Sequence, residues 1–218
     1  MKETNKIIIL CSPSAGGKDT IARLLEKEHG YNFIVSTTTR PMRPGESEKN
    51  PYNFVTNKEF KKLIKNNKLI EYREYHTLLN NKPEIWFYGV ENDEVDPGKN
   101  YVVVLDTVGL REFKAHFPDE VISIYLHVDD EVRKQRCLDR GDFDETEWNR
   151  RLADDKIRFS EEVIKKEMQY VVNADKPSIE VLIDVVNIID CHRKTKIQTL
   201  LVTLWKNVRK LASTLTQL

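Results

Sequence analysis

Long hydrophobic runs are missing from this sequence. None approaches the roughly 18 apolar residues that a membrane-spanning helix needs, and the longest, such as Ile7 to Cys11, are strand-sized. The opening residues Met1 to Lys6 run straight into such a segment without an apolar secretory core. Cysteine is scarce, and Cys11, Cys137 and Cys191 show neither metal-ligand spacing nor a disulfide pattern. His29, His76, His116, His127 and His192 form no spaced cluster, so they read as structural or surface residues rather than ligands or bases. No Ser/His/Asp or Cys/His nucleophile arrangement stands out. An excess of charge is lacking too. The 35 Lys and Arg residues balance 35 Asp and Glu, which removes the global basic field expected of a nucleic-acid binder. What remains, 39% hydrophobic and 32% charged in 218 residues, suits one globular core, and the expectation is a cytoplasmic enzyme.

Short, solid, β-branched runs recur at Ile7–Cys11, Phe33–Val35, Tyr101–Asp106, Val121–Val128 and Tyr170–Asn173. Apolar runs without alternation predict strands buried on both faces of a parallel sheet. Helix signals lie between them. Thr56-Asn57-Lys58-Glu59 and Asp144-Glu145-Thr146-Glu147 have capping-box spacing, and Pro177 suits the start of a helix over Ser178–Ile189. Alternating strands and helices predict an α/β fold with right-handed crossovers. Residues 36–100 break this rhythm with a polar, Asn-, Pro- and Tyr-rich stretch that reads as an inserted lobe.

Between the first strand and a helix over Ile21–Glu28 stands Ser12-Pro13-Ser14-Ala15-Gly16-Gly17-Lys18-Asp19-Thr20. Small residues let backbone N–H groups converge on phosphate oxygens, the helix N-terminus adds positive potential, and a lysine reaches the terminal phosphates. Ser14, Ala15, Gly16, Gly17, Lys18, Asp19 and Thr20 are therefore expected to hold a nucleotide triphosphate. Ser12 stands where such loops begin with glycine, and Asp19 stands where a magnesium-binding hydroxyl is usual. A carboxylate there can hold Mg²⁺ through water, with Thr20 supplying the hydroxyl.

Two arginines, Arg40 and Arg43, sit three apart on the Pro-stiffened stretch Ser36 to Glu46, which precedes Tyr52-Asn53-Phe54-Val55. Arginine pairs grip phosphate bidentately, and tyrosine hydroxyls such as those of Tyr52 and Tyr88 add hydrogen bonds. This segment resembles the GMP-binding lobe of guanylate kinases, with its Ser-x-Thr-Thr-Arg-x-x-Arg-x-Gly-Glu run followed by Asp-Tyr-x-Phe-Val. Glu59-Phe60, Ile70-Glu71, Tyr88-Gly89, Arg136, Arg140-Gly141, Arg151-Leu152 and Val172-Asn173 follow in the family's order, so the resemblance spans roughly residues 6–190. It implies a P-loop kinase with a parallel core sheet flanked by helices, an inserted nucleoside monophosphate lobe and an arginine-bearing lid. ATP with Mg²⁺ would donate to GMP or dGMP. It also implies that Glu71 accepts from guanine N1 and N2 with Ser36 as its helper, that Asp106 belongs to the acceptor site, and that Asn173 lies near the donor base.

Arg136 and Arg140 lie four apart, on one face if helical, and Arg151 follows the turn-like Gly141 to Asp144. With Lys18, these arginines resemble the catalytic set of a closing lid, which stabilises the transferring phosphoryl group and excludes water. Arg150 and Arg158 read as structural ion-pair partners. Several departures point to a remodelled acceptor pocket. Val90 follows Tyr88-Gly89 where the family has Ser or Thr, Val104 replaces a carboxylate, and Val108 replaces a glutamine. The interval from Glu71 to Tyr88 is longer than usual by about eight residues and contains His76–Trp86.

The expected layout is a kinase domain over 1–190. Its core comprises 1–35, 96–135 and 161–190, the acceptor lobe 36–95 and the lid 136–160. The alternatives are a deoxynucleoside monophosphate kinase of altered or broader base choice and a catalytically silent binding module, and retention of Lys18 and the three arginines argues against the module. Residues 191–218 carry six Lys or Arg and no acid, leaving a net of −6 ahead of them. From Ile197 onward Leu200, Leu201, Leu204, Trp205, Val208, Leu211, Ala212, Leu215 and Leu218 recur at helical spacing opposite Lys206, Arg209 and Lys210. Such a stripe must be covered, by the chain's own core, by a second copy in a homodimer or by an anionic membrane surface. The expectation is a stabilising or oligomerising role outside the chemistry.

Overall fold

The computed structural model describes residues 6–43, 45–79, 82–96, 98–141 and 143–215, the last of these by backbone alone beyond Thr199. The chain begins with β1 (Lys6–Cys11), α1 (Lys18–His29), β2 (Asn32–Phe33), β3 (Thr37–Thr38), β4 (Asn53–Phe54) and α2 (Asn57–Lys65). A hairpin of β5 (Leu69–Leu79) and β6 (Lys82–Glu91) follows, then β7 (Asn100–Val104), α3 (Thr107–His116) and β8 (Val121–His127). Next come α4 (Asp130–Arg140), α5 (Glu145–Arg158), α6 (Glu161–Glu167), β9 (Tyr170–Asn173) and α7 (Ser178–Leu215).

The core sheet has the order β2-β7-β1-β8-β9, and every pairing is parallel. Residues Ile7 to Cys11 on β1 are fully buried, as the solid apolar runs predict for strands covered on both faces. Because β1 pairs with β7 on one side and β8 on the other, the crevice at its carboxyl end is where open α/β sheets bind ligands.

A second sheet, ordered β4-β3-β6-β5, is drawn from residues 37–91. Its long hairpin pairs Leu69 with Glu91 at one end and Leu79 with Lys82 at the other, so the extra residues of the His76–Trp86 interval prolong two strands. Burial alternates along β5 with the two-residue strand period. Glu71 and Thr77 are buried and Arg73 and Tyr75 half-buried, while Tyr72, Glu74 and His76 are exposed. The inward face is thus polar, which hides the strand from a reading based on apolar alternation.

Of the two capping boxes, the one at α2 is complete, with Thr56 and Glu59 each accepting from the other's backbone N–H. At α5 the Asp144 side chain accepts from Glu147 N at 2.7 Å, and the reciprocal bond is missing because the Glu147 carboxylate is taken by Arg150 and Arg151. α7 starts directly after Pro177 and is one continuous helix to Leu215, where the sequence suggests a helix to Ile189 and a separate extension. No Gly or Pro breaks it. The chain divides into compact units at residues 1–182 and 183–218, the second of which is helical through Leu215. The apolar stripe from Leu200 onward lies outside the described side chains. Among the described residues no helix is long and apolar enough to cross a membrane.

Candidate active site

The loop between β1 and α1 closes around its own lysine. Lys18 Nζ donates to Ser12 O at 2.8 Å and to Pro13 O at 3.0 Å. Burial pulls its pKa down from the ordinary lysine range, against the opposing pull of Asp19 and Asp155. Gly17 caps α1 at φ 86°, a left-handed conformation that glycine adopts without strain. The Ser12 hydroxyl is buried with no hydrogen-bond partner.

Arg133, which the sequence does not single out, anchors this loop. Its Nη1 donates to Ser14 O at 3.0 Å and to Asp155 Oδ2 at 2.9 Å, its Nη2 meets Asp130 Oδ1 at 2.6 Å, and its guanidinium lies 5.3 Å from the Trp148 ring. Asp155 in turn accepts from Ser14 N at 3.2 Å. The only sequence signal was an i, i+3 spacing from Asp130, which most exposed helices also offer.

A cavity of about 470 Å³ opens beside the loop at the carboxyl ends of β1 and β7. Ser12, Ser14, Ala15, Lys18 and Asp19 line one part of it, and Arg40, Arg43, Tyr52 and Tyr88 another. Arg40 is 5% exposed and already engaged. It donates twice to Glu46 at 2.8 and 3.0 Å and once to Pro41 O at 2.8 Å, and it lies 5.4 Å from the Tyr52 ring. Arg43 donates its backbone N–H to the same Glu46 at 2.8 Å. Burial raises the Tyr52 and Tyr88 phenols, so both hydroxyls remain donors at neutral pH.

Towards β5 and β7 the wall is Arg73, with Val104, Leu105 and Asp106. Glu71 and Ser36 do not line the cavity; both are buried, Glu71 at 2% and Ser36 at 6% exposure. Arg73 Nη1 lies 2.6 Å from Glu71 Oε2, and its Nε lies 3.2 Å from Asp106 Oδ2. Glu71 Oε1 is buried without a partner. Burial pushes the Glu71 carboxyl up, with Arg73 pulling against it. Asp106 goes the other way. Burial would raise it, but Arg73, Arg158 at 2.9 Å and the Val108 and Gly109 amides together hold it below its ordinary value. It also caps α3.

The three arginines that the sequence assigns to a lid separate. Arg43, Arg140 and Arg151 share a smaller cavity of about 90 Å³ with Ser14, and Arg140 and Arg151 also reach the large one. Arg151 Nε is bonded to Glu147 at 2.6 Å. Arg136 does not join them, although it lies on the same helix. Its guanidinium turns to Ala15 O at 3.4 Å and Ala174 O at 2.9 Å, across the loop, and it lines a further cavity of about 200 Å³ with Gly16, Gly17, Thr20, Lys176 and Val181. Thr20 therefore faces a different cavity from Asp19, as expected of helix neighbours about 100° apart, and the two do not form one metal site. Asn173 does not line this cavity either, and its side chain accepts from Asp175 N. As expected, Arg158 and Arg150 are ion-paired, with Asp106 and Asp154 and with Glu147 respectively. Arg150 additionally donates to Tyr75 OH at 2.5 Å, and Thr77 donates to Glu147 at 3.2 Å, so the long hairpin touches α5.

A family model described as guanylate kinase matches residues 4–177. A guanylate kinase of Lactococcus lactis subsp. lactis is 31% identical over 178 residues, covering 81% of this chain and 83% of the relative. One from Anaplasma phagocytophilum is 36% identical over 150 residues, covering 65% and 68%. A crystal structure of guanylate kinase from Anaplasma phagocytophilum superposes with a TM-score of 0.61 at 27% identity, covering 88% of both chains.

Proposed function

The chain belongs to the guanylate kinase family, ATP-dependent phosphotransferases that act on GMP, and we propose how its own residues divide that work. The observation that carries this reading is the convergence of the phosphate loop, the Arg40–Arg43 segment and the arginines of α4 and α5 on one cavity. An acceptor dianion must sit beside a triphosphate, so both need cations before an oxygen of one can approach phosphorus of the other.

In this reading the loop amides and Lys18 hold the β- and γ-phosphates, with Lys18 exchanging the carbonyls of Ser12 and Pro13 for phosphate oxygens. Arg136 and the 200 Å³ cavity take the donor nucleoside, so Arg136 moves from the catalytic set to donor binding. Arg43, Tyr52 and Tyr88 bind the acceptor phosphate. Arg40 fixes the loop through Glu46 and adds its charge. An acceptor phosphate oxygen attacks the γ-phosphorus of ATP, the bond from that phosphorus to the β–γ bridging oxygen breaks, and ADP and GDP result. Arg140 and Arg151 neutralise the charge on the transferring group, where supplied arginines are worth about three to five orders of magnitude in related enzymes. Glu71 lies behind the cavity wall, and in this reading its unpartnered Oε1 becomes the acceptor for the guanine N1–H and N2–H when the base binds; dGMP is the deoxy counterpart of the same acceptor.

Mg²⁺ bound with ATP would supply positive charge against the charge that develops during transfer. Asp19, an exposed hard-oxygen ligand on the cavity wall beside Lys18, fits that ion and is the residue that would hold it. We assign the enzyme to the cytoplasm and residues 191–218 to stability or self-association.

The test is ADP release across the common ribo- and deoxyribonucleoside monophosphates. GMP and dGMP should lead, and Lys18→Ala should abolish transfer. A folded wild type inert towards every monophosphate would overturn the reading.

A further inference from the structure

We propose that Arg73 is a specificity-determining residue that donates hydrogen bonds to the O6/N7 edge of the acceptor guanine. The inference rests on the GMP reading above and extends it to a residue that reading does not use.

Guanine presents donors at N1 and N2 and acceptors at O6 and N7. The acceptors need donors on the protein. At this end of the cavity Val104 and Leu105 are apolar, and Asp106 is held in its acceptor-only ionised form. Val90 on β6 is fully buried and carries no hydroxyl. Two cations border the space, and Arg158 is turned to Asp106 and Asp154, so Arg73 on β5 is the donor beside Glu71. Its contacts with Glu71 and Asp106 use Nη1 and Nε, which leaves Nη2 with two N–H groups.

The surroundings hold the guanidinium in this place rather than letting it trail into solvent. Carboxylates bracket it on two sides, and a Cβ built on Gly109 would meet its Nη1 at 2.5 Å, so α3 closes the third. Glu71 and Arg73 are two apart on one strand and share a face. Together they offer an acceptor, the unpartnered Oε1, next to a donor. Guanine presents the matching order, N1–H beside O6. Adenine presents the reverse, an N1 acceptor beside an N6 donor, so the same pair repels it twice.

The test compares GMP with three analogues in the ADP-release assay. In 7-deaza-GMP the N7 acceptor is gone, in 6-thio-GMP a weakly accepting sulfur replaces O6, and in IMP the 2-amino group is absent while O6 and N7 remain. The wild type should lose about tenfold or more in kcat/KM, mostly through KM, on 7-deaza-GMP or 6-thio-GMP. In Arg73→Ala the GMP value should fall to the analogue level, so that the penalty vanishes. Arg73→Gln, which keeps one donor on a shorter stem, should show a reduced penalty and decides the question if Arg73→Ala does not fold. A wild type indifferent to both analogues, or a penalty undiminished in the Arg73 variants, would overturn the proposal. The Glu71 reading fails separately, if the wild type uses IMP as well as GMP or if Glu71→Gln keeps the discrimination between them.

Discussion

Replacing Gly16 by alanine tests how tightly the phosphate loop is packed. A Cβ at this position would lie 1.7 Å from Ser12 Oγ, 2.7 Å from Ser12 Cβ and 3.0 Å from Pro13 O. Rotating the serine relieves the first contact but not the second, so the backbone of the loop must shift. Overpacking of this kind costs about 1–3 kcal/mol, which for a domain of this size is a fall of about 2–12 °C in Tm. The same shift displaces the amides proposed to hold phosphate, so kcat/KM for ATP should fall about tenfold or more. Ser12→Gly removes the obstructing side chain together with a buried hydroxyl that has no partner. Leaving such a group unsatisfied costs about 1–3 kcal/mol, against about 0.5–1 kcal/mol for the added backbone freedom of glycine, so this variant should be no less stable than wild type. The double variant should regain both Tm and ATP turnover relative to Gly16→Ala, with a coupling of about 1–2 kcal/mol in the cycle. Melting curves and initial rates at varied ATP measure all four corners. Additive effects, or a Gly16→Ala enzyme indistinguishable from wild type, would refute the packing argument.

Arg140→Ala should lower kcat by about two to three orders of magnitude with the acceptor KM changed only a few-fold, since its contact strengthens in the reacting state; a change confined to KM would make it a binding residue. Glu46, Glu147 and Asp106 titrate below their ordinary values of 4.5, 4.5 and 3.8 in the folded chain. Their stabilisation is therefore complete above about pH 4.5 and is lost as pH falls through the lower folded values. Denaturant melts between pH 5 and 3 should show this decline, with a shallower slope in Glu46→Gln, and an unchanged slope would contradict it. Deleting residues 194–218 should lower Tm or the number of subunits per particle in solution while ADP release persists. A stable truncated protein of unchanged subunit number that no longer transfers phosphate would place the tail in the chemistry.

The core sheet was legible because strands covered on both faces must be apolar throughout, and Ile7 to Cys11 or Val121 to Val128 leave no other reading. The small residues before Lys18 likewise singled out the loop between β1 and α1, which is proposed to hold phosphate. The second sheet was not legible. Its strands β3 and β4 are two residues each, too short for any period to register, and β5 turns Glu71, Arg73, Tyr75 and Thr77 inward. Spacing placed Arg136 and Arg140 on one helix but could not show that their long side chains diverge to different cavities. Arg73 and Arg133 escaped notice for a related reason. A buried arginine looks like a surface arginine until the carboxylates that pair with it, which come from distant segments, are brought alongside.

The Ser14 amide is held by the Asp155 carboxylate at 3.2 Å. An anion that takes this N–H therefore enters by exchange, and its affinity is the difference between two anions on one donor. In the proposed mode of binding a weakly charged ion swaps like for like and gains little from that contact, whereas a triphosphate brings enough charge to win it while reaching Lys18 as well. The displaced carboxylate is not abandoned, because Arg133 holds the same oxygen at 2.9 Å from its other side. On that reading the loop discriminates against small anions by carrying a competitor whose release it has already provided for.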